Sequence, residues 1–185
     1  MQKSNRKLKI GIIATESNKN DILFYEEALK QITTGELKEQ VKLVIYGHNS
    51  EEDEEWLNDV DFQFVKPTSV VHYFKQLKAL NLDVLLILLE HNVYNATSED
   101  YNKFLEAALY NIPVLAPNLP AYNQIIRNGV NGFIYGNKEE LVTSITELLD
   151  LKEELNVVGI YAHETMEKYF SFSEENTKLI DDLFV

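Results

Sequence analysis

The sequence predicts an α/β protein: one doubly wound parallel sheet of six strands with helices on both faces. Three observations carry that expectation. Six short apolar runs alternate with segments of helical period, the order that sets parallel strands beside crossover helices. One run, DVLLILL at 83–89, is apolar without alternation, as a central parallel strand covered on both faces must be. The chain has 185 residues, 45% apolar and 25% charged, with only seven Gly and four Pro, which suits a single folded domain and excludes a disordered or fibrous chain.

The elements follow in order. LKIGIIA at 8–14 is the first strand, and a polar loop over 15–21 leads to a helix N-terminus. Apolar positions at 22, 25, 29 and 32 form a helical stripe that ends near Thr33, Thr34 and Gly35. VKLVIYG at 41–47 is the second strand. The acidic block at 51–55 opens a short helix through Trp56 and Leu57; carboxylates favour the positive first turn, so it reads as a solvated helix start rather than a metal site. FQFV at 62–65 is the third strand, closed by Lys66 and Pro67, and a helix over 69–80 carries Val70, Tyr73, Phe74 and Leu77 on one side. Strand 83–89 is followed by a loop over 91–98 and a helix over 99–110. Then come strand 113–116, helix 122–127, strand 132–135 and a long helical tail from Lys138. Doubly wound sheets bind ligands at the carboxyl ends of their strands, near the switch point. Here that point falls between the first and fourth strands, which directs attention to loops 14–21, 65–69 and 89–99.

Charge restricts the partners. Thirty acidic against 17 basic residues give a net charge of −13, and Arg6 and Arg127 are the two arginines. A nucleic-acid module needs a basic stripe, so nucleic acid is excluded as a partner. Lys3, Arg6, Lys7 and Lys9 crowd the start, and residues 1–7 read as a flexible basic tail ahead of the domain at 8–185. With no cysteine, disulfides, thiol nucleophiles and thiolate metal sites are excluded. No apolar run reaches the roughly 18 residues of a membrane span, and no signal-peptide pattern opens the chain. The expectation is a cytoplasmic protein, with a peripheral place at the inner membrane face left open by the basic start. In that compartment the sequon at Asn95, Ala96 and Thr97 has no glycosylation role.

Several signatures are missing: no GxxxxGK[ST] loop, no GxGxxG turn, no HExxH and no GxSxG elbow. His48, His72, His91 and His163 are scattered without metal-ligand spacing. A receiver domain needs paired acids after the first strand and an Asp after the third, where Ala14 and Thr15, and Lys66 and Pro67, stand.

The stretch from 83 to 135 is the informative one. LDVLLILLEH, NKFLEAALYNIPVLAPN and IIRNGVNGFIYGNKEELVTSITELLD occur in that order. The chain resembles the nucleotide-sugar-binding C-terminal half of GT-B glycosyltransferases of the group 1 family, whose pattern is an apolar strand, a variable loop, a Lys/Glu helix ending in a small residue, Pro and Val, and a Gly-x-Asn-Gly turn. The resemblance implies a Rossmann-like donor domain, one half of a GT-B fold. It implies a retaining, metal-independent hexosyl transfer from a nucleoside diphosphate sugar, UDP- or GDP-linked, to a glycan, lipid-linked sugar or protein acceptor, with no cofactor and no metal.

Site residues follow from the same resemblance. Lys19, in the loop after the first strand, stands where the family's lysine reaches the donor diphosphate; read alone it is a surface lysine before a helix. Glu106, in the helix sequence Lys103, Phe104, Leu105, Glu106, stands where the family's glutamate accepts hydrogen bonds from the ribose hydroxyls; read alone, Lys103 and Glu106 are a surface ion pair at i, i+3. Thr15 belongs to the first loop. Asn95, Ala96, Thr97 and Ser98 lie before the 99–110 helix, placed either to offer N–H groups to phosphate or to cap the helix. Val65 and Lys66 would border the base through backbone groups.

Three features depart from the family pattern. No arginine accompanies Lys19, the family's first glutamate position is Ser98 with Glu99 one residue out of register, and Gln124 replaces a frequent glutamate. GT-B enzymes also react between two domains, so the resemblance implies an N-terminal acceptor domain or a partner subunit. The alternative is a catalytically degenerate domain used for protein association, with an apolar patch near Tyr161, Met166, Tyr169 and Phe170.

Overall fold

The computed structural model describes residues 6–47, 57, 59–98 and 101–170; the acidic block at 51–55 and Trp56 lie outside them. Its strands are β1 (Leu8–Ala14), β2 (Val41–Gly47), β3 (Gln63–Val65), β4 (Val84–Leu86), β5 (Val114–Pro117) and β6 (Phe133–Tyr135). They form one six-stranded sheet in the order β3-β2-β1-β4-β5-β6, with every pairing parallel. The order reverses between β1 and β4, where the sequence places the switch point.

Strand alternation builds two cores. Leu8, Ile10 and Ile12 of β1 and Val84 and Leu86 of β4 face one side with Ile22, Tyr25, Leu29 and Ile32. These last four belong to α1 (Lys19–Phe24), to the break at Tyr25 and to α2 (Glu26–Thr34). The same face is closed by Leu141, Ile145 and Leu148 of α7 (Lys138–Asp150). Ile13, Val44, Leu85, Ile87 and Leu89 face the other side. There they meet Leu77 of α3 (Val70–Leu80), Phe104 and Ala107 of α5 (Asn102–Ala108), Tyr122 of α6 (Pro120–Asn123) and Ala162 of α8 (Leu155–Phe170). The period of two, applied to an all-apolar strand, requires this double covering.

Several boundaries differ from the expectation. The loop over 15–21 is a single 3-10 turn, Glu16–Asn18, running directly into α1, because the buried Asn18 amide folds it back: Oδ1 accepts from the Thr15 N–H at 2.7 Å and Nδ2 donates to the Ile13 carbonyl at 3.0 Å. The loop over 91–98 is largely α4 (Val93–Ser98), started by Asn92 Oδ1 accepting the Asn95 N–H at 2.8 Å. β4 ends at Leu86 rather than 89; the carbonyls beyond it leave the ladder for tyrosine hydroxyls, Ile87 accepting from Tyr135 at 2.9 Å and Leu89 from Tyr25 at 3.0 Å. The 122–127 helix starts at Pro120 and stops at Asn123, since Asn131 takes its backbone groups: Oδ1 accepts the Arg127 N–H at 2.7 Å and Nδ2 donates to the Ile125 carbonyl at 3.0 Å. Among its described residues, up to 170, the tail holds two helices, α7 and α8, broken at residues 151–154. Within the stretch read as a flexible tail, Arg6 forks onto Asp83, with bonds of 2.7 and 2.5 Å, and Lys7 donates to the Lys38 carbonyl. A guanidinium matched to a carboxylate in two bonds ties Arg6 to Asp83, the residue before β4.

Close packing against backbone carbonyls is tightest at two glycines. A Cβ at Gly47, where φ is 143°, would overlap the Ala14 carbonyl, and one at Gly159 on α8 would overlap the Asn111 carbonyl. Asn111 itself sits at φ 56°, a left-handed geometry that Asn tolerates best after Gly. Replacing Gly159 with Ala is expected to destabilise the domain by about 1–3 kcal/mol through overpacking, read as a lower urea midpoint. Burial raises the ionisation of Tyr25, Tyr73 and Tyr135 above the ordinary tyrosine range. The unfolded chain therefore releases these protons first, and stability held below about pH 10 falls as pH rises beyond it. A pH series of thermal unfolding should show that alkaline loss, reduced in Tyr73→Phe.

Candidate functional site

In a doubly wound sheet the crevice for ligands is expected beyond the carboxyl ends of the strands at the switch point, here β1 and β4. Next to the end of β4, the buried Tyr25 and Tyr135 pack edge to face with centroids 5.9 Å apart. Asp21 in α1 reaches the segment after β4: its Oδ1 accepts the Glu90 N–H at 2.9 Å and the Asn95 amide at 2.8 Å. Asn95 donates again to the Glu90 carbonyl at 2.9 Å. One carboxylate oxygen thus ties the segment after β1 to the segment after β4.

The expected residues separate into groups. Thr15 is exposed at the crevice lip, its hydroxyl 2.9 Å from that of Ser17. Lys19 is half-buried at the start of α1, two residues before the Asp21 link. Asn95 is buried and its amide is committed to Asp21 and Glu90. The Asn95 N–H is taken by Asn92 Oδ1 and the Ala96 N–H by the Asn92 carbonyl. The Thr97 hydroxyl donates to the Val93 carbonyl at 2.8 Å. This stretch, with Ser98 its last residue, is therefore inside a helix and not at the start of the next one. The expected phosphate-facing amides of Asn95 and Ala96 are used within α4.

Glu106 lies on α5 with its side chain half-buried. Its Oε2 accepts from the Tyr73 hydroxyl on α3 at 2.6 Å, so its hydrogen-bonding partner is a tyrosine and not Lys103, which is half-buried on the same helix. Tyr73 stacks on Tyr46, with centroids 5.6 Å apart and planes 22° apart. Tyr46, near the end of β2, is buried and stands 3.2 Å from the Thr68 hydroxyl. Val65 ends β3 opposite Tyr46, and Lys66 follows it, exposed. Tyr46, Val65, Thr68, Tyr73 and Glu106 thus make one cluster on the carboxyl side of the sheet.

Sequence reading missed Asn18, Asp21 and Tyr73 as site-building residues. Tyr73 falls on the apolar side of its helix, and only its hydroxyl, which needs a partner when buried, distinguishes it from a core aromatic. Asp21 carries no signal, because its partners lie 69 and 74 residues away. In the patch considered for association, Tyr161 is 47% exposed while Met166 packs on the second core; the side chains of Tyr169 and Phe170 lie outside the description. A cavity of about 790 Å³ beside Tyr161 is lined by Gln124, Arg127, Val130 and Thr165. Another of about 450 Å³, at the amino edge of the sheet, is lined by Arg6, Lys78, Asp83 and Lys152. Among the described residues no three His, Cys, Asp or Glu side chains are grouped to hold a metal, and no helix is long and apolar enough to cross a membrane.

A 3-2-1-4-5-6 parallel sheet with helices on both faces defines a doubly wound, Rossmann-like domain. Residues 7–151 match the model of the family described as glycosyl transferases group 1, and the chain belongs to that family. Solved structures share its fold at low identity. Anabaena Alr3699/HepE in complex with UDP and glucose superposes with a TM-score of 0.70 at 17% identity, over 96% of this chain and 48% of that one. WaaG, a glycosyltransferase involved in lipopolysaccharide biosynthesis, gives 0.68 at 16%, over 96% and 48%. The C-terminal domain of the group 1 family protein LpcC from Francisella tularensis gives 0.62 at 14%, over 89% and 87%. The chain thus spans about half the length of HepE and WaaG. No curated protein sequence matches it.

Asp21→Ala removes the acceptor of two polar hydrogens and should cost about 2–3 kcal/mol. Hydrogen exchange of the Glu90 amide is expected to accelerate far more than that of amides in β2.

Proposed function

We propose that the chain is the donor-binding half of a glycosyltransferase, holding a nucleoside diphosphate sugar for transfer to a glycan, lipid-linked or protein acceptor. The observation that carries this is the Glu106 carboxylate, held on the carboxyl side of a doubly wound sheet by Tyr73 in a chain of the group 1 family. An ionised carboxylate is the natural acceptor for two neighbouring ribose hydroxyls. Lys19 is the cation for the diphosphate, at the crevice lip with Thr15. Lys103 adds positive charge along α5, and the backbone at Val65 and Lys66 borders the base. The 95–98 segment contributes shape rather than N–H donors. UDP is the first candidate, since HepE is solved with UDP and glucose and with UDP-glucose; GDP is the second.

Transfer requires an acceptor side as well. The greater length of HepE and WaaG supports an N-terminal domain or partner subunit that supplies it. The reaction in this reading is retaining and metal-independent, with Lys19 stabilising charge on the leaving diphosphate. No arginine shares that task, which favours a modest rate. The site is expected on the cytoplasmic side, where nucleotide sugars are the donors.

Calorimetry with UDP, GDP and ADP tests the reading. One of them should bind below millimolar. Glu106→Ala should weaken it by about tenfold or more, as loss of hydrogen bonds to a charged group does. Lys19→Ala should weaken the diphosphate but leave the free nucleoside unchanged. Absence of binding by all three, or full affinity in Glu106→Ala, rejects the assignment.

A further inference from the structure

We infer that Tyr73 is a positioning residue for nucleotide recognition, orienting Glu106 so that the carboxylate meets the ribose with its remaining acceptor sites. The inference rests on the reading of Glu106 as the ribose acceptor. It adds a specific device to that reading, built from four residues of three elements and one loop.

A glutamate on a helix surface samples several rotamers, and a ligand that needs one of them must pay for fixing it. Here the fixing is done in advance. The Tyr73 hydroxyl donates to Glu106 Oε2 at 2.6 Å, a distance typical of a bond to an ionised acceptor. A carboxylate has about four lone-pair sites, so one bond on Oε2 leaves Oε1 and a second Oε2 site to accept.

Tyr73 is itself held. Its ring lies against the Tyr46 ring at 5.6 Å, nearly parallel, and Phe74 closes the edge at 5.1 Å and 79°. Tyr46 is 1% exposed, anchored in the second core and by Thr68. The restraint therefore runs from the rigid sheet, through an aromatic stack, to one carboxylate oxygen. Burial and the neighbouring Glu106 both raise the Tyr73 ionisation, so the hydroxyl keeps its proton and remains a donor throughout the physiological range. A phenylalanine at this position would fill the stack equally well. The hydroxyl is what the packing does not require.

Calorimetry on the full chain compares wild type, Tyr73→Phe, Glu106→Ala and the double variant, each with UDP and with the dideoxy analogue of UDP that lacks both ribose hydroxyls. Thermal unfolding checks that Tyr73→Phe keeps its fold. The expected result is about tenfold weaker UDP binding in Tyr73→Phe, unchanged binding of the dideoxy analogue, and no further loss of UDP affinity when Tyr73→Phe is added to Glu106→Ala. If Glu106→Ala weakens UDP while Tyr73→Phe binds it like wild type, the inference fails and the ribose assignment stands. Equal weakening of both ligands by Tyr73→Phe also overturns it, since that is the mark of a general structural role. If Glu106→Ala leaves UDP affinity intact, the ribose assignment fails and takes the inference with it.

Discussion

β4 is buried on both faces, and its backbone polar groups have no water to turn to where the ladder stops. The constraint is severe because an unpaired buried carbonyl costs as much as a lost hydrogen bond. Tyr135 and Tyr25 meet it by donating to the carbonyls of Ile87 and Leu89. One comes from β6 and the other from the break between α1 and α2, so two distant segments must be in place before the central strand is satisfied. Asp21, one helical turn before Tyr25, binds the Glu90 N–H and the Asn95 amide, so the same helix that completes β4 also positions the segment beyond it.

Net charge matters less to the site than the location of a few charges. The domain is acidic overall, yet an anionic ligand needs only local cations and polar hydrogens. Neither arginine stands at the crevice. Arg6 is paired with Asp83 at the amino edge, and Arg127 lies beside α8 in the turn held by Asn131. Lys19, at the start of α1, is the cation on which the proposed function relies. In the proposed reading, Glu106 would repel a phosphate but suits a sugar hydroxyl.

Much of the fold was legible because it follows from periodicity. The stripe at Ile22, Tyr25, Leu29 and Ile32 is buried as a whole even though the backbone breaks at Tyr25, since the face and not the helix is what the core selects. The apolar run at 84–89 is buried throughout, although only its first half keeps strand pairing. The loops were less legible. Asn18, Asn92 and Asn131 each bend or cap the chain with side-chain hydrogen bonds, and an Asn in a polar stretch looks the same whether it does this or faces solvent. For that reason α4 was not anticipated. The Gly-x-Asn-Gly turn that helps to mark the family proves to be a fold device, with Asn131 also reaching Thr165 on α8 at 3.1 Å.

By itself, the sequence determined the class of sheet and the position of the switch point, and its resemblance to the family put forward Lys19 and Glu106, on which the proposed function turns. These depend on local pattern: alternation, helical spacing and a motif of contiguous residues. The tertiary structure decided what those residues touch. Tyr73 reaches Glu106 across 33 residues, and Asp21 reaches Asn95 across 74. Hydrogen bonds of that span leave no periodic trace, because they form only once both cores have brought the helices against the sheet.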